Sequence, residues 1–300
     1  MRVFVTGATG FIGTALTREL LDAGHQVLGL SRSDAGAEAL RKAGAEVHRG
    51  DINDLESIRS GAKNADAVVH LAFNHDFSDF VQNCETDRGV IETLADTLAG
   101  SNRLMVTTSG TGIAASEPDK VATEDSLPLT SKQFPRGASE EAAKAAEKRG
   151  VRVAIVRLPQ VHDTRKAGLI TWAIQIARDK GVSAYVGDGR NRWAAGALSD
   201  TARLYRLALE KTKSSAVYHS VGEEGISAKD IAEAVGQGLK VPVRSISPDE
   251  ANAHFGWLAH FAMRDMPASS TITQKALGWT PTGTDLLTDL KNMDYSQPQH

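Results

Sequence analysis

The sequence predicts an α/β chain: a doubly wound parallel sheet carrying a smaller, mostly helical C-terminal lobe. Three observations predict it. Apolar, β-branched runs alternate with helical patterns through the first two-thirds of the chain, the order of a parallel sheet covered by helices on both faces. The first such run, Arg2 to Thr6, passes directly into Gly7-Ala8-Thr9-Gly10-Phe11-Ile12-Gly13 and then into a helical pattern from Thr14 to Ala23. From about residue 223 the alternation weakens and helical periodicity takes over.

Strands are predicted at residues 2–6, 26–30, 45–48, 66–71, 103–108 and 151–157, with a last core strand at 216–220 entered from a helix over 199–211. The most regular helical pattern runs from Ser131 to Arg149, where Ala138, Ala142, Ala143 and Ala146 form a small-residue stripe between charged positions. Residues 112–130, rich in Ser, Thr, Pro, Asp and Glu, read as a long surface loop. Phe255, Trp257, Phe261 and Met263 cluster late in the chain, as a small core or as an apolar pocket wall. The tail after Lys291 is polar and reads as frayed.

With 41% hydrophobic residues, 300 residues can bury a full core. The formal charge of −3, with neither sign gathered into blocks, gives no basic stripe for nucleic acid. No stretch approaches the ~20 uninterrupted apolar residues that cross a bilayer, and a strand starting at residue 2 leaves no room for a secretory leader, so the expected address is the cytoplasm. Cys84 is the only cysteine and reads as a helix-face residue; with it alone, neither an internal disulfide nor a cysteine metal cluster is expected.

The glycine turn carries the chemistry. A strand turning sharply into a helix leaves backbone N–H groups unpaired at the turn, and the helix dipole adds about half a positive charge there. A pyrophosphate fits such a spot. Gly7 lets the chain turn, Gly10 removes a Cβ that would meet phosphate, and Gly13 lets the helix approach the sheet. Thr9, Phe11 and Ile12 complete the cradle of a dinucleotide. The second strand ends in Ser31-Arg32-Ser33, beside the adenosine ribose in this arrangement. Arg32 can fork onto a 2′-phosphate with Ser31 and Ser33 as further donors, while Asp34 is placed to cap the next helix. NADP(H) is therefore preferred, with NAD(H) as the alternative cofactor and a solvated Arg32 as the other reading of that residue. Asp51 and Ile52 follow the third strand, where a carboxylate and a backbone N–H read the adenine edge, and Leu71, Ala72 and Phe73 close the fourth strand against the cofactor.

Together these residues resemble the short-chain dehydrogenase/reductase superfamily, in its extended branch of nucleotide-sugar epimerases, dehydratases and related reductases. Thr6 to Gly13 sits in that branch's TGxxGxxG pattern, and the likeness runs the length of the chain. It implies a Rossmann domain at 1–162 and 194–222 and a substrate lobe at 163–193 and 223–300. It also implies that Asp51 holds adenine and that Thr107 to Thr111 supplies the hydroxyl that meets a substrate carbonyl. Pro159 and Val161, in Arg157-Leu158-Pro159-Gln160-Val161, would meet the nicotinamide carboxamide, and Leu277-Gly278-Trp279-Thr280-Pro281 is similar to an LGWxP element of many members. Residues 187–193 resemble a stretch that grips a diphosphate, which makes Arg192 a candidate phosphate ligand or an ordinary surface arginine, with Trp193 and Tyr185 as pocket walls. The resemblance implies a small-molecule substrate and a homodimer paired through helices flanking the sheet.

One family feature is missing. The superfamily relies on a YxxxK pair, and the residues four beyond Tyr185, Tyr205, Tyr218 and Tyr295 are Gly189, Leu209, Gly222 and Gln299. Laying the family pattern on the helix from residue 131 puts Arg136 where the tyrosine belongs and Glu140 where the lysine belongs. A guanidinium keeps its proton, so Arg136 can orient or polarise an oxygen but not shuttle a proton; the alternative is an exposed Arg136–Glu140 pair worth roughly 0.3 to 0.5 kcal/mol. Hydride addition to a carbonyl leaves an alkoxide to be protonated. His162, beside Asp163, and His75, beside Asp76, are the candidate donors, each otherwise a plain loop histidine. Ser109 is the carbonyl donor, with Thr111 as its substitute. The expected activity is carbonyl/alcohol oxidoreduction with a non-standard proton donor. The alternatives are a nucleotide-sugar epimerase or dehydratase, and a non-catalytic NADP(H)-sensing protein.

Overall fold

The computed structural model describes residues 1–115 and 120–296. Its first part runs β1 (Arg2–Thr6), α1 (Phe11–Asp22), β2 (Gln26–Ser31), α2 (Asp34–Ala43), β3 (Glu46–Arg49), α3 (Leu55–Lys63), β4 (Ala67–His70), α4 (Phe80–Leu98), β5 (Leu104–Gly110), α5 (Gly137–Lys148) and β6 (Arg152–Leu158). There follow β7 (Gln160–His162), α6 (Ile170–Lys180), β8 (Ser183–Val186), β9 (Arg192–Ala197), α7 (Leu198–Lys211) and β10 (Ala216–His219). The last stretch is β11 (Glu223–Ser227), α8 (Ala228–Leu239), β12 (Val243–Ile246), α9 (Pro248–Phe255), α10 (Ala259–Ala262), α11 (Thr271–Leu277) and α12 (Leu286–Asn292).

Seven parallel strands form the main sheet in the order β10-β6-β5-β4-β1-β2-β3. Strand alternation divides its core between two faces. Val3 and Val5 of β1 point to the face covered by α1 and α7, with Leu16, Leu20, Leu204 and Tyr205, while Phe4 points to the other, with Ile58, Ile91, Leu94 and the Ala142, Ala143, Ala146 stripe of α5. Strand order reverses between β1 and β4, which pair Thr6 with His70. A crevice opens beyond their carboxyl ends, where ligands bind in such sheets. A third core joins Ile170, Trp193, Ile231, Phe255, Leu258 and Leu286 under α6, α8 and the late helices. Two smaller sheets, β11-β9-β7 and β12-β8, flank it. Among the described residues no helix is long and apolar enough to cross a membrane.

Several local expectations change. Residues 131–136 are turns rather than helix, because Pro135 lacks an N–H and disfavours helical geometry at Phe134. The expected surface loop is packed inward in part: residues 116–119 lie outside the described residues, Ile113, Ala122 and Glu124 are buried, and Val121 and Leu127 stay exposed. Ala122 exchanges hydrogen bonds with Pro267 and Ser269, and Glu124 accepts from the backbone and hydroxyl of Thr273. Ser33, not Asp34, caps α2, accepting from Gly36 N–H at 3.1 Å. Between Lys291 and Ser296 the chain is anchored, Tyr295 Oη donating to the Leu290 carbonyl at 3.0 Å, while the rest of the tail expected to fray, residues 297–300, lies outside the described residues. Cys84 is buried in α4, and burial pushes its thiol up to about 11.

Candidate active site

The glycine turn meets the requirements of an anion cradle. Gly7 has φ +69°, and a Cβ there would lie 2.8 Å from the Ala72 nitrogen; a Cβ on Gly13 would fall 1.9 Å from the Gly7 oxygen. No side chain caps α1 and no acid lies in its first turn, so its leading N–H groups carry no protein anion. Gly7, Gly10, Phe11, Ile12 and Gly13 line one end of a cleft of about 760 Å³. Leu71, Ala72 and Phe73 line its flank, as do Pro159 and Val161 from the β6–β7 connection. Thr9 lies outside that lining, exposed.

The adenosine end is open surface, and only part of the expected set is available there. Arg32 is 82% exposed, with Nη1 3.9 Å from Asp51 Oδ2. Ser31 Oγ is buried and donates to the Ser33 carbonyl, so its hydroxyl is no spare donor; Ser33 Oγ accepts in the α2 cap, which leaves its own O–H to donate. Arg49, unnoticed in the sequence, pairs in register with Ser31 across β2 and β3. Its guanidinium donates to the Ser33 carbonyl at 2.6 Å and lies 3.1 Å from Asp34, which sets a second cation beside Arg32. Asp51 Oδ1 accepts from both nitrogens of Asn53, while Ile52 packs toward the core under α3.

Under the cleft floor runs a buried polar chain. Thr6 Oγ1 accepts from the N–H groups of Leu71 and Ala72 and therefore donates to His70 Nδ1 at 2.6 Å, which assigns the remaining ring proton to Nε2, 2.9 Å from Asp87 Oδ1. Asp87 Oδ2 accepts from Ser139 at 2.5 Å and Arg136 at 2.7 Å. Burial alone would raise the Asp87 carboxyl, but the Arg136 charge and the His70 and Ser139 hydrogen bonds outweigh it and hold the group well below the usual carboxylate range. Arg136 also donates to Ser139 Oγ and to the Thr108 carbonyl, and lies 4.2 Å over the Phe73 ring. The expected Arg136–Glu140 pair does not form: Glu140 is buried and takes Arg157 in a two-pronged bridge at 2.8 and 2.9 Å.

The remaining candidates separate cleanly. Ser109 and Thr111 line the cleft; Thr111 Oγ1 donates to the Leu158 carbonyl, whereas Ser109 Oγ is buried without a partner. Thr107 is buried in β5 away from the lining and Thr108 takes the cleft position. His75 lines the cleft with its ring edge-on to Phe73 at 5.3 Å; packing around the ring and then the Arg136 charge lower its pKa. Asp76 does not hold it, being occupied with Ser78. His162 is not brought to the cleft: it is fully buried in β7, with Nδ1 2.7 Å from Asp289 of α12 rather than on Asp163. Arg192 is likewise turned away, bridging Asp265 at 2.7 Å. Tyr185 lines a separate small cavity in the lobe, and Trp193 lines both.

Lys166 and Arg264 also face the cleft, as do the rings of Phe77, Phe80, Phe134, Trp172 and Phe261. The spacing of Lys166 and Arg264 in sequence carried no signal, because both reach the cleft by tertiary packing of the lobe. Phe77 stacks on Trp257 at 3.9 Å and 7°, closing an aromatic wall from the β4–α4 connection to the late helices. Among the described residues the lining contains no Asp, Glu, Tyr or Cys.

A family model described as the NAD dependent epimerase/dehydratase family matches residues 3–221. An uncharacterized protein of Schizosaccharomyces pombe is 44% identical over 98% of this chain and 100% of its own length, and one of Saccharomyces cerevisiae is 45% identical over 97% and 98%. Among solved structures, a dTDP-glucose 4,6-dehydratase from Streptomyces venezuelae with NAD bound has TM-score 0.77 at 20% identity, covering 98% of this chain and 95% of that one. At that identity the likeness is one of fold.

Proposed function

The chain belongs to the NAD dependent epimerase/dehydratase family, and on that premise we propose that it is an NADP(H)-dependent oxidoreductase acting on a small carbonyl or alcohol. The observation that carries this reading is the pairing of Ser109, a residue of the cleft lining whose buried hydroxyl has no partner, with a lining free, among the described residues, of tyrosine and carboxylate. Epimerisation and dehydration begin by oxidising an alcohol and need a base to take its proton; carbonyl reduction needs a donor to the oxygen and a proton source.

When bound, the nicotinamide dinucleotide supplies or accepts the hydride. The chain's own residues do the rest. The main-chain donors of Phe11, Ile12 and Gly13 hold the pyrophosphate, and Arg32 with Arg49 holds the 2′-phosphate. Ser109 Oγ donates to the substrate oxygen, as a preorganised donor aimed where charge develops. His75, also in the lining, delivers the proton. Arg136 keeps Asp87 company and fixes the carboxyl end of β5 through the Thr108 carbonyl, which makes it a positioning residue. Tyr205 supplies no proton: Thr108 Oγ1 donates to the His70 carbonyl, so the Tyr205 hydroxyl donates to Thr108, and burial pushes its pKa up. Residues 1–162 and 194–222 serve the dinucleotide, and 163–193 with 223–300 the substrate.

The test is oxidation of NADPH followed by absorbance over a panel of aldehydes and ketones, beside UDP- and dTDP-sugars. Turnover of a carbonyl with consumption of NADPH supports the proposal. Conversion of a nucleotide sugar with no net change in cofactor supports the epimerase or dehydratase reading. Tight NADPH binding with neither activity leaves a sensing protein.

A further inference from the structure

Three cationic side chains face the cleft: Arg136, Lys166 and Arg264. The first is neutralised by Asp87. The other two are not, since among the described residues no carboxylate oxygen lies within 4.0 Å of Lys166 or Arg264. Arg264 is tied at one nitrogen only, Nη2 donating to the carbonyls of Gly112 at 3.0 Å and Ala115 at 3.1 Å, so its remaining donors are unspent. Burial lowers its pKa with no counter-charge opposing the shift. A half-buried cation left without an anion is unfavourable to the empty protein, and sites that receive anionic ligands keep such an arrangement.

Much of the rest of the lining is aromatic. Phe77, Phe80, Phe134, Trp172, Trp193 and Phe261 give the cleft a ring-lined body, with few neutral polar side chains, Gln160, Thr171 and Gln175 among them. A sugar carries a hydroxyl on nearly every carbon, and those left against the ring faces would lose water without gaining a partner. A flat apolar body loses nothing there and gains contact with rings.

We propose that the substrate is a carbonyl compound with an apolar, ring-sized body and one carboxylate, the carboxylate being held by Arg264 and Lys166. This rests on the hydride-transfer reading given above. In the step itself the reduced nicotinamide loses two electrons as hydride to the carbonyl carbon, the C=O π pair becomes an oxygen lone pair, and that oxygen takes one proton. The carboxylate is unchanged and serves only to orient the body toward Ser109.

Two measurements on the full chain saturated with NADP(H) separate this proposal from the reading beneath it. The first is quenching of tryptophan fluorescence, with Trp172 and Trp193 in the lining, on titration with naphthoate and with uncharged naphthamide. The acid is expected to bind about tenfold or more tightly than the amide. Arg264→Gln and Lys166→Gln should each close most of that gap while leaving amide affinity in place; among the described residues Lys166 makes no side-chain hydrogen bond or ion pair, so its variant reports even if Arg264→Gln fails to fold. Equal binding of acid and amide, or displacement of naphthoate by UDP-glucose at lower concentration than naphthoate itself, overturns the proposal. The second is NADPH-dependent reduction of para-carboxybenzaldehyde and its carboxamide. Equal kcat/KM for the two overturns the anion site while hydride transfer stands; reduction of neither, with acid-selective binding intact, keeps the anion site and overturns hydride transfer.

Discussion

Arg136 is held against Asp87 by a 2.7 Å bridge beneath the cleft, the other carboxylate oxygen being taken by His70 at 2.9 Å. Arg136, the residue that the sequence pattern is expected to set in place of a proton-transferring tyrosine, is half of a buried ion pair. Breaking such a pair from one side leaves a buried charge alone and costs about 3–5 kcal/mol. Asp87→Asn is expected to lose stability on that scale by urea unfolding. The Asp87 pKa is depressed in the fold, so its contribution is complete above the unfolded carboxylate value of about 3.9 and is lost as pH falls below it toward the folded value. The variant should therefore show a flatter loss of stability with pH below about 4 than the parent.

Ser109→Ala separates function from packing. Its hydroxyl is buried with no partner, so the alanine protein should melt at the same temperature or slightly higher. If the hydroxyl meets the substrate oxygen, kcat for carbonyl reduction should fall about 10²- to 10³-fold with NADPH affinity unchanged. A variant with full turnover would remove Ser109 from the mechanism.

His75 and His162 make an internal comparison. The rate of reduction should fall as pH rises through the His75 pKa, with a midpoint below the ordinary imidazole value of about 6.5, because burial and Arg136 disfavour its charged form. His75→Asn should abolish that limb of the profile. His162→Ala should keep both the limb and the turnover number while lowering stability by about 1–3 kcal/mol, since it strands Asp289 in the core.

Cofactor choice should lie with two arginines. Replacing Arg32 and Arg49 together with alanine is expected to weaken NADPH binding by about tenfold or more, on the scale of charge-assisted bonds, and to leave NADH binding nearly unchanged. A steeper dependence on salt for NADPH than for NADH in the parent would accompany this. Equal loss for both cofactors would place the arginines elsewhere than at the 2′-phosphate.

Much of this architecture could be read from the chain alone, for identifiable reasons. The strands of the main sheet, the edge strand β3 apart, are largely buried runs bounded by turns, and the glycine turn lies in one contiguous stretch, although Gly7 packs against Ala72 at the end of a distant strand. What was hidden is what tertiary packing decides. Ser31 looks like a spare donor until its hydroxyl is seen spent on the Ser33 carbonyl. His162 ends a strand, as a cleft residue would, but α12 arrives from 127 residues away with Asp289 to claim it. Residues 112–130 have a surface composition, yet Glu124 spends its charge inward on Thr273. Lys166, Arg264 and Arg49 carry no pattern at all; each matters because of where a distant segment ends.

The bare amino end of α1 has a consequence for the protein's lifetime in a cell. A helix mouth without a cap is completed only by an anion that folding itself does not provide. A ligand bound there at a hundred times its Kd would add about 2.7 kcal/mol to the unfolding free energy. Resistance to proteolysis would then track the total supply of dinucleotide, since its oxidised and reduced forms carry the same pyrophosphate.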